Sequence, residues 1–299
     1  MGSVAITPQR AAAQSSEDVG EEGDPAPSAS ASAAPSARPP LHPPPAHAQL
    51  PAKDGMIRLP GGAFTMGSND LAAPPNEKPA HAVTVSPFWI DRTEVTVGAY
   101  RACVDKHACA IPAKTSRFCT FDAGDPDSPV SCVHWSDADA YCRFAAKRLP
   151  REIEWEFAAR GNTPARFPWG GGVSTCVTAA TLLREGTAKS CTGLRPAKVG
   201  AHPMGASQFG IVDLSGNVEE WTADWYAENA ASGASPRAGA SHVLRGGGWL
   251  SPPSMSKTTS RDWGSAMEAG PNVGFRCARD GARDSAQDSA RDSAHGASL

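Results

Sequence analysis

The sequence has no excess of positive charge and no long hydrophobic run. Its 28 lysines and arginines are outweighed by 31 aspartates and glutamates, which gives a formal net charge of -3 at pH 7. A basic surface of the kind that binds nucleic acid is therefore not expected. No apolar stretch reaches the roughly 18 residues that a transmembrane helix needs, so the sequence predicts no membrane-spanning segment.

Large apolar residues are scarce at both ends of the chain. Residues 1–55 are rich in alanine, proline and serine, and residues 281–299 repeat an Asp-Ser-Ala unit. Such segments bury too little apolar surface to offset the entropy lost on ordering, so both are predicted to be disordered. Residues 56–280, which hold all eight tryptophans, are predicted to form one folded domain.

The sequence also lacks a Cys-x-x-Cys motif, although all eight of its cysteines lie in the predicted domain. Paired zinc knuckles are therefore not expected, and disulfides are the better interpretation. Disulfides indicate an extracytoplasmic protein, either periplasmic or secreted. The first residues do not resemble a signal peptide, so we expect a signal or lipid anchor upstream of this start. A cytoplasmic protein with free cysteines is the alternative.

Regular secondary structure is predicted for only part of the domain. Apolar residues alternate with polar ones in four short predicted strands, at residues 57–59, 64–66, 83–85 and 88–90. One helix is predicted after Thr96, whose hydroxyl can cap its first turn, and another after Ser136. Pro150 is predicted to begin a third helix that ends at Gly161. Long loops rich in tryptophan and cysteine surround these elements, so the fold class is predicted to be α+β.

Seven segments of the domain form a recognisable pattern, in the order PGGAFTMGS, EKPAHAVTVSPFWIDRTEVT, YCRFAAKRLPREIEWEFAARG, FPWG, FGIVDLSGNVEEWTADWY, LRGGGWL and NVGFRCAR. Together they resemble the formylglycine-generating enzyme family, also called the sulfatase-modifying factor domain. The resemblance covers residues 56–279. It implies a C-type-lectin-like α+β fold with little regular secondary structure, and an oxidase that converts a sulfatase cysteine to formylglycine with molecular oxygen.

The two cysteines that bind copper in this family are absent here. The resemblance places them six and eleven residues after the basic residue of the Arg-Gly-Gly motif, which is Arg245. The corresponding residues are Ser251 and Ser256. A serine hydroxyl is a poor ligand for the soft Cu(I) ion, so we do not expect copper.

These substitutions predict a divergent family member that does not make formylglycine. The leading hypothesis is a module that binds an unknown protein or small molecule in a cleft, with four candidate residues: Trp249, Ser251, Ser256 and Arg261. The first alternative is an enzyme of different oxidative or non-redox chemistry, with Arg261 and Asp262 as the nearest titratable groups. The second is calcium-dependent binding of carbohydrate or protein through the lectin-like fold.

Other kinds of site have little support in the sequence. Ser251 lacks the Gly-x-Ser-x-Gly context of a hydrolase, and no Lys-Ser or Lys-Thr follows the glycines at 246–248 to make a phosphate loop. Some members of the resembling family use iron held by clustered histidines. The histidines here are scattered and are expected to be structural or surface residues: His81, His134, His202 and His242.

The resemblance also implies a calcium site. Transferred by position, its ligands are the carboxylates of Asp213 and Glu220 and the backbone carbonyls of Gly216 and Val218. All four are hard oxygen donors, which suit Ca²⁺. Calcium is therefore a candidate cofactor, and the alternative is that Asp213 and Asn217 only shape the turn.

One disulfide follows from the resemblance and three from spacing. The family links the cysteine of its AYC segment to that of GFRC, which gives Cys142–Cys277 here. Short separations make three further pairs natural: Cys103–Cys109, Cys119–Cys132 and Cys176–Cys191. Eight cysteines allow roughly 100 different pairings, so spacing alone leaves these three open.

Overall fold

The computed structural model describes residues 50–123, 125–228, 231 and 241–281. Most of the two segments predicted to be disordered, residues 1–49 and 282–299, lies outside these ranges. Residues 52 and 53, which the sequence analysis assigns to the first of them, form a short strand instead. The strand is held by backbone hydrogen bonds, which do not require the apolar side chains that the segment lacks.

Three small β-sheets lie within the described ranges. The first contains, in spatial order, β1 (Ala52–Lys53), β2 (Met56–Leu59), β5 (Phe88–Asp91) and β10 (Ala278–Asp280), all antiparallel. The second pairs β3 (Gly62–Met66) with β4 (His81–Val85). The third has the order β8 (Arg261–Gly264), β7 (His242–Arg245), β6 (Glu219–Trp225) and β9 (Val273–Gly274), with β9 parallel to β6.

The four strands predicted from alternating apolar residues are present as β2 to β5. The chain turns sharply between β2 and β3 at Gly61, which has a φ of 66°. A side chain there would meet the carbonyl oxygen of Val85 at 2.3 Å. Only glycine fits this close approach, and the turn sends β2 and β3 into different sheets.

Three helices pack against these sheets: α1 (Val97–Asp105), α2 (Trp135–Phe144) and α3 (Glu152–Arg160). The cap predicted for α1 is present, because Thr96 Oγ1 accepts the backbone N–H of Ala99 at 3.2 Å. Helix α3 ends at Gly161, as predicted, where φ is 60°.

Two helices do not begin where the sequence pattern places them. Helix α2 begins before Ser136, because the Asp137 carboxylate accepts the backbone N–H of His134 at 3.3 Å. Helix α3 begins after Pro150, because the Glu154 carboxylate accepts the backbone N–H of Arg151 at 2.8 Å. In both cases an acid in the first turn reaches back and fixes the start.

The apolar core has two centres. One surrounds α1 and α2 and includes Tyr100 and Phe275. The other packs α3 against β2, β3, β4 and β5, with Phe157 contacting Phe64 edge-on at a centroid distance of 5.4 Å. None of the helices in the described ranges is long and apolar enough to cross a membrane.

Every cysteine of the chain is in a disulfide. The four pairs are those expected from the sequence: Cys103–Cys109, Cys119–Cys132, Cys142–Cys277 and Cys176–Cys191. The pair Cys142–Cys277 spans 135 residues and ties α2 to the segment that enters β10. It therefore constrains a far longer loop than the other three.

We predict that Cys142→Ala/Cys277→Ala destabilises the protein by about 2–5 kcal/mol, because it releases the longest closed loop. Urea unfolding monitored by tryptophan fluorescence measures the change. The matched control is Cys176→Ala/Cys191→Ala, whose loop spans only 15 residues. The prediction would be contradicted if the control lost as much unfolding free energy as the first variant, or more.

Candidate functional site

The loop that carries Ser251 and Ser256 comprises residues 246–260, between β7 and β8, and folds closely on itself. We call it the serine loop. Gly246 and Gly247 have φ values of 93° and 61°. A side chain at Gly247 would meet the Met255 carbonyl oxygen at 2.7 Å and Ser256 Oγ at 3.0 Å. The glycines are therefore needed for close packing of the backbone.

A single guanidinium holds both ends of this serine loop. Arg245, at its start, is buried and donates hydrogen bonds to the Ser260 carbonyl and, at 3.1 Å, to the Thr258 carbonyl. The same side chain is ion-paired with Glu156 of α3 and lies over the Trp155 ring, 5.1 Å from its centroid. The loop is thus anchored to the central helix.

The Ser251 hydroxyl is fully engaged in hydrogen bonds. Its Oγ accepts the backbone N–H of Gly248 at 3.0 Å and the Asn272 side-chain amide at 3.2 Å. It donates to Glu219 Oε1 at 3.0 Å, and only 5% of the residue is exposed. Ser251 therefore stabilises the loop and links it to β6.

Ser256 is also buried and satisfied. Its hydroxyl donates to the Pro252 carbonyl at 3.4 Å, and its own carbonyl accepts a hydrogen bond from Ser215 Oγ at 2.8 Å. Both positions that the resemblance assigns to copper ligands are occupied by hydroxyls with structural roles. Because every cysteine is oxidised, no thiolate is available elsewhere in the chain.

A cavity of about 460 Å³ lies beside the serine loop, and we call it the Glu219 cleft. Its charged lining residues are Glu77, Glu219, Lys257, Arg261 and Asp262. The remaining lining residues are Ala72, Pro74, Asn76, Leu244, Gly246, Gly247, Ser254, Met255 and Ser260.

The four residues expected to form a cleft do not share this one. Arg261 lines it, whereas Trp249, Ser251 and Ser256 do not. Trp249 is buried, and its indole N–H donates to the Pro271 carbonyl at 3.1 Å. The hydrogen bonds of the serine loop turn these three side chains inward, so the backbone around Gly247 forms the cleft wall instead.

The electrostatics of the cleft centre on Glu219, which the sequence analysis missed. The pKa of its carboxyl is raised to about 7, first by burial and then by the nearby Asp262, while the hydrogen bond from Ser251 lowers it and Glu268 adds a smaller raising effect. Glu219 is adjacent to Glu220, and neighbouring residues of a strand face opposite sides. Two consecutive acids in a strand could therefore have indicated that one of the two carboxylates faces away from the other, towards a cleft or solvent.

The cations of the cleft each have a carboxylate partner. Lys257 Nζ donates to both oxygens of Glu77, at 3.0 and 3.2 Å. Arg261 makes a two-point contact with Glu152, at 2.6 and 3.0 Å. Their positive charges are therefore already neutralised.

Of the expected calcium ligands, Glu220 already has another role. Both of its oxygens accept hydrogen bonds from Arg276, at 2.6 and 2.7 Å, and Oε2 also accepts the Trp155 indole N–H at 2.9 Å. Glu220 therefore has little capacity left for a cation. Asp213 accepts the Gly200 N–H at 2.6 Å and has a φ of 62°, which shapes the turn.

A different carboxylate, Glu94, faces this group. Its Oε1 accepts a hydrogen bond from the Asn217 side-chain amide at 3.0 Å, whereas its buried Oε2 has no partner among the residues described. Burial raises the pKa of Glu94 well above its ordinary value, and Asp213 raises it further, while Arg276 opposes the shift. Hard oxygen donors beside an unpartnered carboxylate oxygen suit a calcium ion.

The histidines take four separate positions. His81 lies in β4, His134 precedes α2 and His202 precedes a 3-10 turn, Pro203–Gly205. His242 is buried at the start of β7. Within the described ranges, no group of three or more His, Cys, Asp or Glu side chains is arranged to hold a metal ion.

His242 lies between two tryptophan rings. Its imidazole stacks on Trp135 at a centroid distance of 4.0 Å and on Trp225 at 3.8 Å. Neither ring nitrogen has a hydrogen-bond partner of good geometry in the described part of the chain. Burial lowers the pKa of His242 to about 4, and the backbone of Asp224 offsets this only in part.

Comparison with known proteins places the whole domain in one group. The family description "Sulfatase-modifying factor enzyme 1-like domain" matches residues 43–281. The "Formylglycine-generating enzyme" of Thermomonospora curvata is 30% identical, over 76% of this chain and 93% of its own length. The "Inactive C-alpha-formylglycine-generating enzyme 2" of Mus musculus is 32% identical, over 78% and 87%.

A solved structure supports the fold. PvdO from Pseudomonas aeruginosa superposes with a TM-score of 0.63 at 28% identity, covering 75% of this chain and 94% of PvdO. The fold class expected from the sequence, an α+β domain with a C-type-lectin-like fold, is confirmed.

We predict that the protein loses stability as the pH falls from about 6.5 to about 4, in part because His242 must be neutral in the folded state. Above this window the imidazole is neutral in both states and does not contribute. Within it the unfolded chain binds a proton that the folded chain excludes. His242→Phe keeps an aromatic ring between the tryptophans and should flatten the dependence of unfolding free energy on pH.

The control for this measurement is His107→Asn, which removes an exposed histidine from a turn with a φ of 57°. Asparagine tolerates that conformation. Urea unfolding at a series of pH values compares the variants. If the unfolding free energy of His242→Phe fell with pH as steeply as that of the unsubstituted protein, the prediction would be wrong.

Proposed function

Because the chain belongs to the sulfatase-modifying factor enzyme 1-like family, we propose that it is an extracytoplasmic binding module of that family which does not make formylglycine. The observation that carries the proposal is the state of Ser251 and Ser256. Both hydroxyls are buried and hydrogen-bonded within the protein, where the resemblance requires thiolates. A Cu(I) ion has no soft ligand at these positions.

The cysteines support the same conclusion. All eight are consumed in disulfides, so another thiol cannot replace the missing pair. Four disulfides in one domain also fit an oxidising compartment, which supports a periplasmic or secreted location.

The names of the relatives support the view that proteins of this fold differ in activity. This chain is similar both to a protein named as a formylglycine-generating enzyme and to one named as inactive. One fold can keep its core while the site changes, so the fold alone does not imply the oxidase. What remains beside the loop is the Glu219 cleft, which has the volume for a small ligand or a side chain of a partner.

We predict that the purified protein neither binds Cu(I) stoichiometrically nor converts the cysteine of a sulfatase peptide to formylglycine. Competition with a chromogenic Cu(I) chelator measures binding, and mass spectrometry of the peptide measures conversion. The Thermomonospora curvata relative, assayed in parallel, is the positive control. Stoichiometric copper binding together with aldehyde formation would refute the proposal.

The variant Ser251→Cys/Ser256→Cys tests the reason for the missing activity. It restores both sulfurs at the positions given by the resemblance. We expect it to bind about one Cu(I) per chain, because a thiolate pair is the preferred ligand set of this ion. Copper binding that does not differ between this variant and the unsubstituted protein would show that residues 251 and 256 do not decide copper affinity.

Calcium binding is a second candidate function, and the unpartnered Oε2 of Glu94 favours it. We propose that the ion is held by Asp213 and the carbonyls of Gly216 and Val218. Glu94 takes the position that the resemblance assigned to Glu220. When bound, the ion would neutralise the buried carboxylates and rigidify the turn before β6.

We predict that Ca²⁺ raises the melting temperature of EDTA-treated protein by about 5 °C at roughly 100 times the dissociation constant. Asp213→Asn and Glu94→Gln should each abolish the shift. Asp105→Asn, at the end of α1, is the matched control and should keep it. Absence of a shift, or the same shift with Mg²⁺, would exclude a specific calcium site here.

A further inference from the structure

The Glu219 cleft has an unbalanced charge. Lys257 and Arg261 are paired with Glu77 and Glu152, as described above. Glu219 and Asp262 line the same cavity, and neither has a cationic partner among the described residues. The cleft therefore presents two carboxylates without a counter-ion of their own.

Glu219 has the geometry of a ligand-binding group. The residue is only 8% exposed, yet it lines the cavity. Its Oε1 accepts the Ser251 hydroxyl, and Oε2 has no hydrogen-bond partner within the described part of the chain. Oε2 is not among the fully buried unpartnered atoms, so it opens to the cleft, where a ligand can supply a donor.

We infer that the Glu219 cleft binds an aliphatic ammonium group, through Glu219 and Asp262. The inference rests on the binding role proposed above and names the chemistry of the ligand. The apolar part of the lining, which includes Pro74, Leu244 and Met255, packs against the methylene chain that carries the ammonium.

The arrangement selects ammonium over other cations. A guanidinium is best recognised by both oxygens of one carboxylate, and in Glu219 one oxygen is already taken by Ser251. An ammonium has three separate donors and can contact single oxygens of two carboxylates. A metal ion is less suited, because no group of three or more acidic or other metal-binding side chains converges within the described ranges.

The ammonium can come from a free diamine or from a lysine side chain of a partner. Calorimetric titration of the full chain at about pH 8 uses cadaverine for the first source and N-acetyl-lysine methylamide for the second. N-acetyl-norleucine methylamide provides the uncharged isostere and glutarate the opposite charge. We expect at least one of the two amines to bind about tenfold or more tightly than either control.

Two variants locate the binding. Glu219→Gln keeps an acceptor for Ser251 and removes the charge, and Asp262→Asn removes the charge on β8. Each should weaken amine binding by about tenfold or more. Asp105→Asn removes one exposed acid that does not line the cleft and should leave the affinity unchanged. Circular dichroism confirms folding, and Asp262→Asn decides the outcome if Glu219→Gln does not fold.

Each result has a defined meaning. Tighter binding of cadaverine identifies a free amine as the ligand, and tighter binding of the lysine derivative identifies a side chain. Binding of neither amine, equal binding of the norleucine derivative, or unchanged affinity in both variants overturns the inference. None of these results depends on copper or formylglycine, so failure here is distinguishable from failure of the proposed non-oxidase function.

Discussion

The site depends on one buried guanidinium. Arg245 holds the two ends of the serine loop together and is itself fixed to α3 by Glu156. Burying charges is expensive, and the arrangement is stable only because the guanidinium is both ion-paired and hydrogen-bonded to carbonyls. The loop therefore has a defined shape that does not require a metal ion or a disulfide between its own residues.

This anchoring gives the loop a defined backbone with serine at both positions that the resemblance assigns to copper ligands. The Ser251 and Ser256 hydroxyls form hydrogen bonds to neighbouring residues. A second buried ion pair, Arg276 with Glu220, holds β6 against the segment before β10 in the same way.

Local patterns predicted those features that neighbouring residues determine. The alternation at β2 to β5 and the Thr96 cap depend on residues close in sequence, and the expected elements are present. The starts of α2 and α3 predicted from Ser136 and Pro150 were wrong, because Asp137 and Glu154 accept hydrogen bonds from the backbone of His134 and Arg151. Spacing alone did not decide the pairing of six cysteines, and the fold brings them together as three disulfides.

The sequence by itself determined that residues 251 and 256 are serines without sulfur, because residue identity fixes whether a soft ligand is present. It could not determine which acid faces the cleft, since Glu219 and Glu220 are adjacent and chemically identical. The tertiary structure decided this by placing Arg276 against Glu220 and by bringing Glu219 and Asp262 into the lining of the same cleft. These partners lie far along the chain, and only packing of the complete sheet determines which face each carboxylate occupies.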